Sequence, residues 1–183
     1  MAPQFDLFIP LASAADDLFV ALKTAFDHYQ FTKDAATRDV DLAAAAGKVE
    51  GKRQGSTASQ RDKYLILQKF YEAYLVADSP MKRGILYQGV VGFLGPSLEE
   101  GWSGILWDRL VALEPAELLF LDELDRSGGP MALAPGDSNV ELADRLAQSG
   151  LVTIRPQGEG IEVSLRGAAS KLLSFVNLGG GGV

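Results

Sequence analysis

The last third of the chain changes its hydrophobic period twice, and this change limits the possible folds more than any other feature. Apolar residues recur at helical spacing after Pro115 and again after Ser138. Two short stretches rich in β-branched residues follow, 151–156 and 161–165, on either side of the turn-forming residues 157–160. A final apolar helical segment comes after them. The pattern predicts a helix, a loop, a helix, an antiparallel β-hairpin and a last helix.

The region before Pro115 carries the spacing of helices. An apolar stripe near the start predicts a core-facing helix, with Ser13 as its N-cap and Asp16 completing a capping box. The alanine-rich segment that follows favours helix. Residues 47–59 are rich in turn formers and therefore predict a loop.

Cap residues mark two of the next helices. Ser59 is expected to cap a helix that runs to Ala77. Ser79 is expected to cap the helix after it, because Pro80 then stands at the first helical position, where proline is favoured.

Two further segments complete the helical region. Residues 80–94 are predicted to be helical, but several glycines interrupt them and each costs a helix about 1 kcal/mol relative to alanine, so a pair of strands is the alternative. Ser97 is expected to cap one more helix. Its predicted inward residues are Trp102, Ile105, Leu106, Leu110 and Leu113.

The predicted fold class is mainly α with a small C-terminal antiparallel β-hairpin. We expect a helical region over 1–113, a module over 114–178 and a flexible tail over 179–183, which is mostly glycine. Within the module, residues 128–136 contain glycines and prolines that disfavour helix, and they are expected to form a flexible loop.

Composition excludes several kinds of chemistry. The chain has no cysteine and one histidine, His28, so thiol chemistry and a multi-histidine metal site are excluded. Glu117, Asp122 and Glu123 are expected to lie on a solvated helix face, and no nucleophile has an evident neighbouring base. We therefore expect a non-enzymatic protein without metal or cofactor.

The sequence also bears on location. The first 22 residues contain neither lysine nor arginine, so the basic region of a secretory signal is missing. The longest apolar run is too short to cross a bilayer, which takes about 20 residues. A cytoplasmic location is expected.

The C-terminal module resembles winged-helix domains such as those of MarR-type regulators. The matching segments are Leu113-Glu114-Pro115-Ala116-Glu117, Glu141-Leu142-Ala143 with Leu146, Gly150-Leu151-Val152, and Val163-Ser164-Leu165-Arg166-Gly167, which is similar to the end of a wing. The resemblance covers about a third of the chain. It implies a degenerate winged helix, because that family places a short supporting helix where this chain has residues 128–136.

The same end of the chain resembles Abi-alpha-type bacterial proteins, which are linked to abortive phage infection. Three segments carry this second resemblance. They are 110–121, a proline followed by a leucine-rich helix; 150–152, a turn; and 167–176, a closing apolar helix.

Charge decides how such a module would act. Residues 114–183 carry five basic and ten acidic side chains, in a chain of net charge −7, and acidic groups oppose contact with phosphates. We therefore expect protein–protein contacts through an interaction or regulatory module. The alternative is a DNA-binding transcriptional regulator, opposed by Glu141 and Asp144 on the recognition helix. Its candidate nucleic-acid contacts are Asn139, Arg145, Gln148 and Arg155.

Two features of the helical region concern partners. Aromatic residues exceed what one small core needs and are enriched at interfaces, so we expect a homo-oligomer, specifically a homodimer. These residues are Tyr64, Tyr71, Tyr74, Trp102 and Trp107. The stretch from Lys48 to Lys63 is the most basic part of the chain, and it is either a solvated loop or a contact for an anion or nucleic acid.

Overall fold

The computed structural model describes residues 8–32, 35–50, 59–94 and 102–176. These residues form eight helices and one three-stranded antiparallel sheet near the C-terminal end, so the predicted fold class is confirmed. The chain divides into an N-terminal unit, residues 1–111, and a C-terminal unit, residues 112–183. The predictions for residues 51–58, Ser97 and the tail 179–183 lie outside the described residues. No helix in the described ranges has the length and apolar content needed to cross a membrane.

Five helices belong to the N-terminal unit, and the last ends at its boundary. They are α1 Phe8–Thr32, α2 Ala35–Glu50, α3 Gln60–Val76, α4 Pro80–Phe93 and α5 Trp102–Ala112. The hydroxyl of Ser59 accepts a hydrogen bond from the Asp62 amide, and that of Ser79 accepts one from the Lys82 amide. Both predicted caps are confirmed, and α4 is a helix rather than a pair of strands.

Three predictions about these helices are wrong. Helix α1 begins at Phe8, so Ser13 lies inside it; Pro10 is accommodated because amides of the first turn have no helical partner to lose. Helix α2 continues through Gly47, whose cost of about 1 kcal/mol the preceding alanines offset. On α5, Ile105 is 52% exposed and Trp107 occupies the buried position instead.

Helix α4 packs closely against α5. A Cβ atom at Gly89 would overlap Leu110 Cδ2 and lie 3.0 Å from Trp107 Cζ3, so glycine is required for this approach. The buried Lys82 adds a polar contact, since its Nζ donates to the carbonyl oxygens of Leu110 and Val111, each at 2.9 Å. A cation at these last carbonyls compensates the negative end of α5.

The C-terminal unit contains three helices and the sheet. Its elements are α6 Pro115–Arg126, β1 Met131–Leu133, α7 Asn139–Gln148, β2 Val152–Gln157, β3 Gly160–Leu165 and α8 Gly167–Val176. The predicted hairpin is confirmed: β2 pairs antiparallel with β3 through a two-residue turn. Gly158 is the first residue of that turn and has a φ angle of 60°, a conformation that glycine adopts without strain.

The prediction of a flexible loop over 128–136 is wrong in part, because this segment contains strand β1. Met131 to Leu133 pairs antiparallel with β3, which gives the strand order β1-β3-β2. A Cβ atom at Gly160 would collide with the Leu133 carbonyl oxygen, so the glycine permits the close approach of the two backbones. The segment forms no helix, as predicted, but it is ordered by pairing rather than left as a loop.

One apolar core holds the C-terminal unit together. Helices α6, α7 and α8 pack with β2 and β3 around it. Its fully buried residues include Leu118, Leu121, Leu146, Leu151, Val163 and Leu172.

Candidate interaction surface

The four candidate nucleic-acid contacts do not form one cluster. Asn139 begins α7 and Gln148 ends it. At about 1.5 Å and 100° per residue, these positions lie ~13 Å apart along the helix and about half a turn apart around it. Arg145 lies on the same helix, whereas Arg155 lies on β2 with an exposed side chain.

Arg145 is held by α6 rather than directed to a ligand. Its Nε atom donates to Glu117 Oε1 at 2.9 Å, and its guanidinium lies 3.6 Å from the Glu141 carboxylate. The other oxygen of Glu117 accepts a hydrogen bond from the Glu114 amide at 2.8 Å and closes the capping box of α6. One carboxylate therefore caps α6 and ties α7 to it.

Glu117, Asp122 and Glu123 of α6 were predicted to face solvent, and this prediction is wrong for two of them. Glu117 is 6% exposed and Asp122 is also buried, while Glu123 faces solvent as predicted. Asp122 lies 2.8 Å from the guanidinium of Arg126. Buried carboxylates need such partners, because an unpaired buried charge costs several kcal/mol.

The remaining arginines of the unit are also separated. Arg166 donates from Nε to the Thr153 hydroxyl at 3.0 Å. Arg155 stands opposite Glu162 in the β2–β3 register, an arrangement that favours opposite charges. The cations are thus distributed over several elements, each near a polar or acidic partner, and a continuous basic face is not formed by the residues described.

The exposed face of α7 is acidic. Glu141 and Asp144 are both exposed, and three residues of helix place them on the same side. We call this pair the acidic face of α7. Asn139 lies at the helix start, where its amide donates to Asp137 Oδ1 at 2.8 Å. Asp137 therefore supplies the side-chain cap, which Ser138 does not make.

The N-terminal unit contains an aromatic stack that the sequence analysis did not assign. Phe19 of α1 stacks on Tyr71 and Tyr74 of α3, with ring centroids 5.1 and 4.2 Å apart. Phe26 packs against Tyr71 and edge-on against Tyr64. The seven-residue spacing of Phe19 and Phe26, repeated in Tyr64 and Tyr71, was the available signal.

A polar contact closes one end of this stack. The Tyr74 hydroxyl donates to Asp16, and the Arg83 guanidinium lies 5.0 Å from the Tyr74 ring centroid. Burial raises the pKa of Tyr74 above its ordinary value of 10.0, and the hydrogen bond to Asp16 and the charge of Asp16 raise it further, while Arg83 opposes them. The phenol therefore stays neutral as a hydrogen-bond donor.

Comparisons with known proteins add nothing to this geometry. No protein-family model matches it, and comparison with curated proteins and with solved structures gives no significant match. In the described parts of the chain, no group of three acidic, histidine or cysteine side chains is placed to hold a metal ion.

Proposed function

We propose that the C-terminal unit is a degenerate winged-helix module that acts through protein–protein contacts, in a non-enzymatic interaction or regulatory protein. The element order helix, strand, helix, hairpin, helix supports the winged-helix part of this proposal. The strand order β1-β3-β2 supports it as well, since it folds the hairpin back beside the strand that precedes α7.

The pairing of Arg145 with Glu117 is the observation that favours a protein partner over DNA. A recognition helix needs cations for phosphates, but the arginine of α7 is engaged by a buried carboxylate. What α7 offers to solvent is its acidic face, Glu141 and Asp144. Complementary charge at an interface favours a partner with a basic surface.

Affinity capture from the native host with the full chain as bait tests this proposal. We expect a basic protein to be retained by the wild type and lost from Glu141→Lys/Asp144→Lys. The matched control is Glu123→Lys/Asp125→Lys, which makes the same charge change at exposed positions of α6 and should retain the partner. Equal capture by the two double variants would reject the acidic face as the binding surface.

DNA binding remains the alternative, supported by the exposed side chains of Gln148 and Arg155. A gel-shift titration of the full chain on pooled duplex DNA, repeated at several salt concentrations, separates the two functions. We expect no sequence-selective complex tighter than about 1 μM. A tighter selective complex that weakens steeply with salt and is lost on Arg155→Ala would favour the regulator.

Self-association is a second part of the proposal, but the aromatic residues that predicted it do not support it. Tyr64, Tyr71 and Tyr74 pack against α1, and Trp107 is buried, so these aromatics are used inside the N-terminal unit. The side chain of Trp102 lies outside the described residues. The support instead comes from Val76, which is 77% exposed. It lines a groove between α3 and α5 with both apolar residues, Ala73, Trp107 and Val111, and charged ones, Lys69, Glu72 and Asp108.

A further inference from the structure

A basic pocket lies between α2 and α3, in a chain that is acidic as a whole. Its volume is about 250 Å³. Among the described residues, three cations line it, Arg38 of α2 and Arg61 and Lys63 of α3, together with one carboxylate, Asp39. Cations therefore outnumber carboxylates in the described lining, whereas the whole chain has a net charge of −7. This local reversal of charge favours an anionic ligand.

Two neighbouring side chains hold Arg38 in place. Its Nε and Nη2 atoms donate to Asp39 Oδ1 at 3.0 and 2.9 Å, and its guanidinium carbon lies 5.1 Å from the centroid of the Tyr64 ring. An arginine that is already oriented loses less entropy on binding. A guanidinium carries five N–H donors, of which Asp39 accepts two, and such donors suit phosphate oxygens. Asp39 and Tyr64 therefore act as positioning residues for Arg38.

The remaining walls limit what can enter. Leu42 and Ala46 are buried on the α2 side, so the pocket has an apolar floor beneath its cations. The nearby acid Asp62 does not line the pocket; its carboxylate accepts a hydrogen bond from the Ser59 hydroxyl at the start of α3. The pocket is smaller than the sites of about 300–1,000 Å³ that hold drug-sized ligands.

We propose that this α2–α3 pocket binds a phosphate dianion, either free or as the monoester group of a small molecule or lipid. Three cationic side chains of the described lining can offset the two negative charges of such a group. The volume admits the phosphate and a small attachment on the apolar floor. This site is separate from the function proposed for the C-terminal unit and does not depend on it.

The test uses inorganic phosphate as the probe and thermal unfolding of the full chain as the readout, with ionic strength balanced by sodium chloride. Binding to the folded state raises the Tm by mass action. We expect a saturable increase with a Kd of about 1 mM or tighter. The exposed or half-exposed pair Arg61→Gln/Lys63→Gln should weaken phosphate binding about tenfold or more, because it removes two of the three cations.

The matched control is Lys23→Gln/Lys48→Gln, which makes the same charge change at exposed positions outside the pocket and should keep wild-type affinity. Arg38 is left intact in both variants because its contacts support the local structure. Equal stabilisation by phosphate and chloride, or equal phosphate affinity in the two variants, would overturn the proposal.

Vesicle flotation identifies the source of the phosphate group. Association with vesicles containing phosphatidic acid that free phosphate displaces, together with phosphate binding in solution, assigns a lipid headgroup. Phosphate binding without vesicle association assigns a soluble phosphate compound. Duplex DNA binding with no effect of free phosphate would overturn the pocket assignment, because it would show contact with an extended backbone instead.

Discussion

At the scale of single residues, Glu117 joins two elements of the C-terminal unit. We expect Glu117→Gln to lower the free energy of unfolding by about 1–2 kcal/mol, since a neutral amide keeps the shape but loses the charge that pairs with Arg145. The arginine side chain is 47% exposed, so solvent screening limits the effect. Urea unfolding followed by circular dichroism measures it.

The control for this change is Asp144→Asn. It removes the same charge from an exposed position of α7, and we expect a change of no more than about 0.5 kcal/mol. Combining Glu117→Gln with Arg145→Gln should cost less than the sum of the two single changes. Strict additivity would show that the observed contact contributes nothing to stability.

Tyr74 gives a prediction about pH. Its pKa is raised in the folded state, so its contribution to stability is complete below the unfolded value near 10.0 and is lost as the pH rises through the folded value. Wild-type stability should therefore fall at alkaline pH, and Tyr74→Phe should reduce that dependence while lowering stability at neutral pH through the lost hydrogen bond to Asp16.

The measurement is the free energy of unfolding from about pH 8 to about pH 11. Tyr64→Phe is the matched variant, because it also removes one phenol from the aromatic stack but leaves the contact with Asp16 intact. An identical pH slope in the two variants would contradict the assigned role of Tyr74.

Local chemistry explains which residues the sequence could predict. Ser59, Ser79 and Pro80 act within three residues of their own positions, and all three predictions are confirmed. The burial of Glu117 depends on Arg145, which is 28 residues away in sequence. Such a partner is fixed by tertiary packing, so a helix pattern alone assigned Glu117 to the solvated side.

At the scale of elements, the contact between α4 and α5 depends on Gly89. We expect Gly89→Ala to lower the free energy of unfolding by about 1–3 kcal/mol, because the added methyl group must displace the buried side chains of Leu110 and Trp107. The gain in helix propensity, up to about 1 kcal/mol, is smaller than this cost.

Gly47→Ala is the matched control on α2. Outside its chain neighbours and its own helix backbone, a Cβ atom there meets no atom of the described residues within 4 Å, so we expect stabilisation of about 0.5–1 kcal/mol from helix propensity alone. Thermal and urea unfolding of both variants test the pair. Two variants that change stability in the same direction would show that close packing at Gly89 does not decide its effect.

A helix or strand was predictable from the sequence where the segment was long enough to show its hydrophobic period. The hairpin strands and α3 and α4 each extend over enough residues to show alternation or a helical stripe. Strand β1 has three residues, Met131 to Leu133, and its identity comes from pairing with β3. The absence of a side chain at Gly160 enables that pairing, and no local pattern reveals it.

At the scale of the whole molecule, the distribution of charge matters more than its sum. The net charge of −7 agrees with the acidic C-terminal unit, but it does not indicate the basic pocket between α2 and α3. The basic stretch from Lys48 to Lys63 indicated that pocket only in part. Arg38 joins it from another helix, so the cluster is completed by the packing of α2 and α3.

Self-association is the prediction that belongs to the whole molecule. If two copies meet through the groove between α3 and α5, the exposed Val76 becomes buried, and apolar burial stabilises the pair. Sedimentation equilibrium at high micromolar concentration should then give twice 19.6 kDa for the wild type and 19.6 kDa for Val76→Asp. Val40→Asp, at an exposed position of α2, should remain dimeric. An added aspartate is stable in water but is costly when it is buried without a partner, and Glu72 and Asp108 of the groove would repel it, so only the variant within the interface should dissociate. A monomeric wild type would reject the dimer, and a dimer that survives Val76→Asp would place the interface elsewhere.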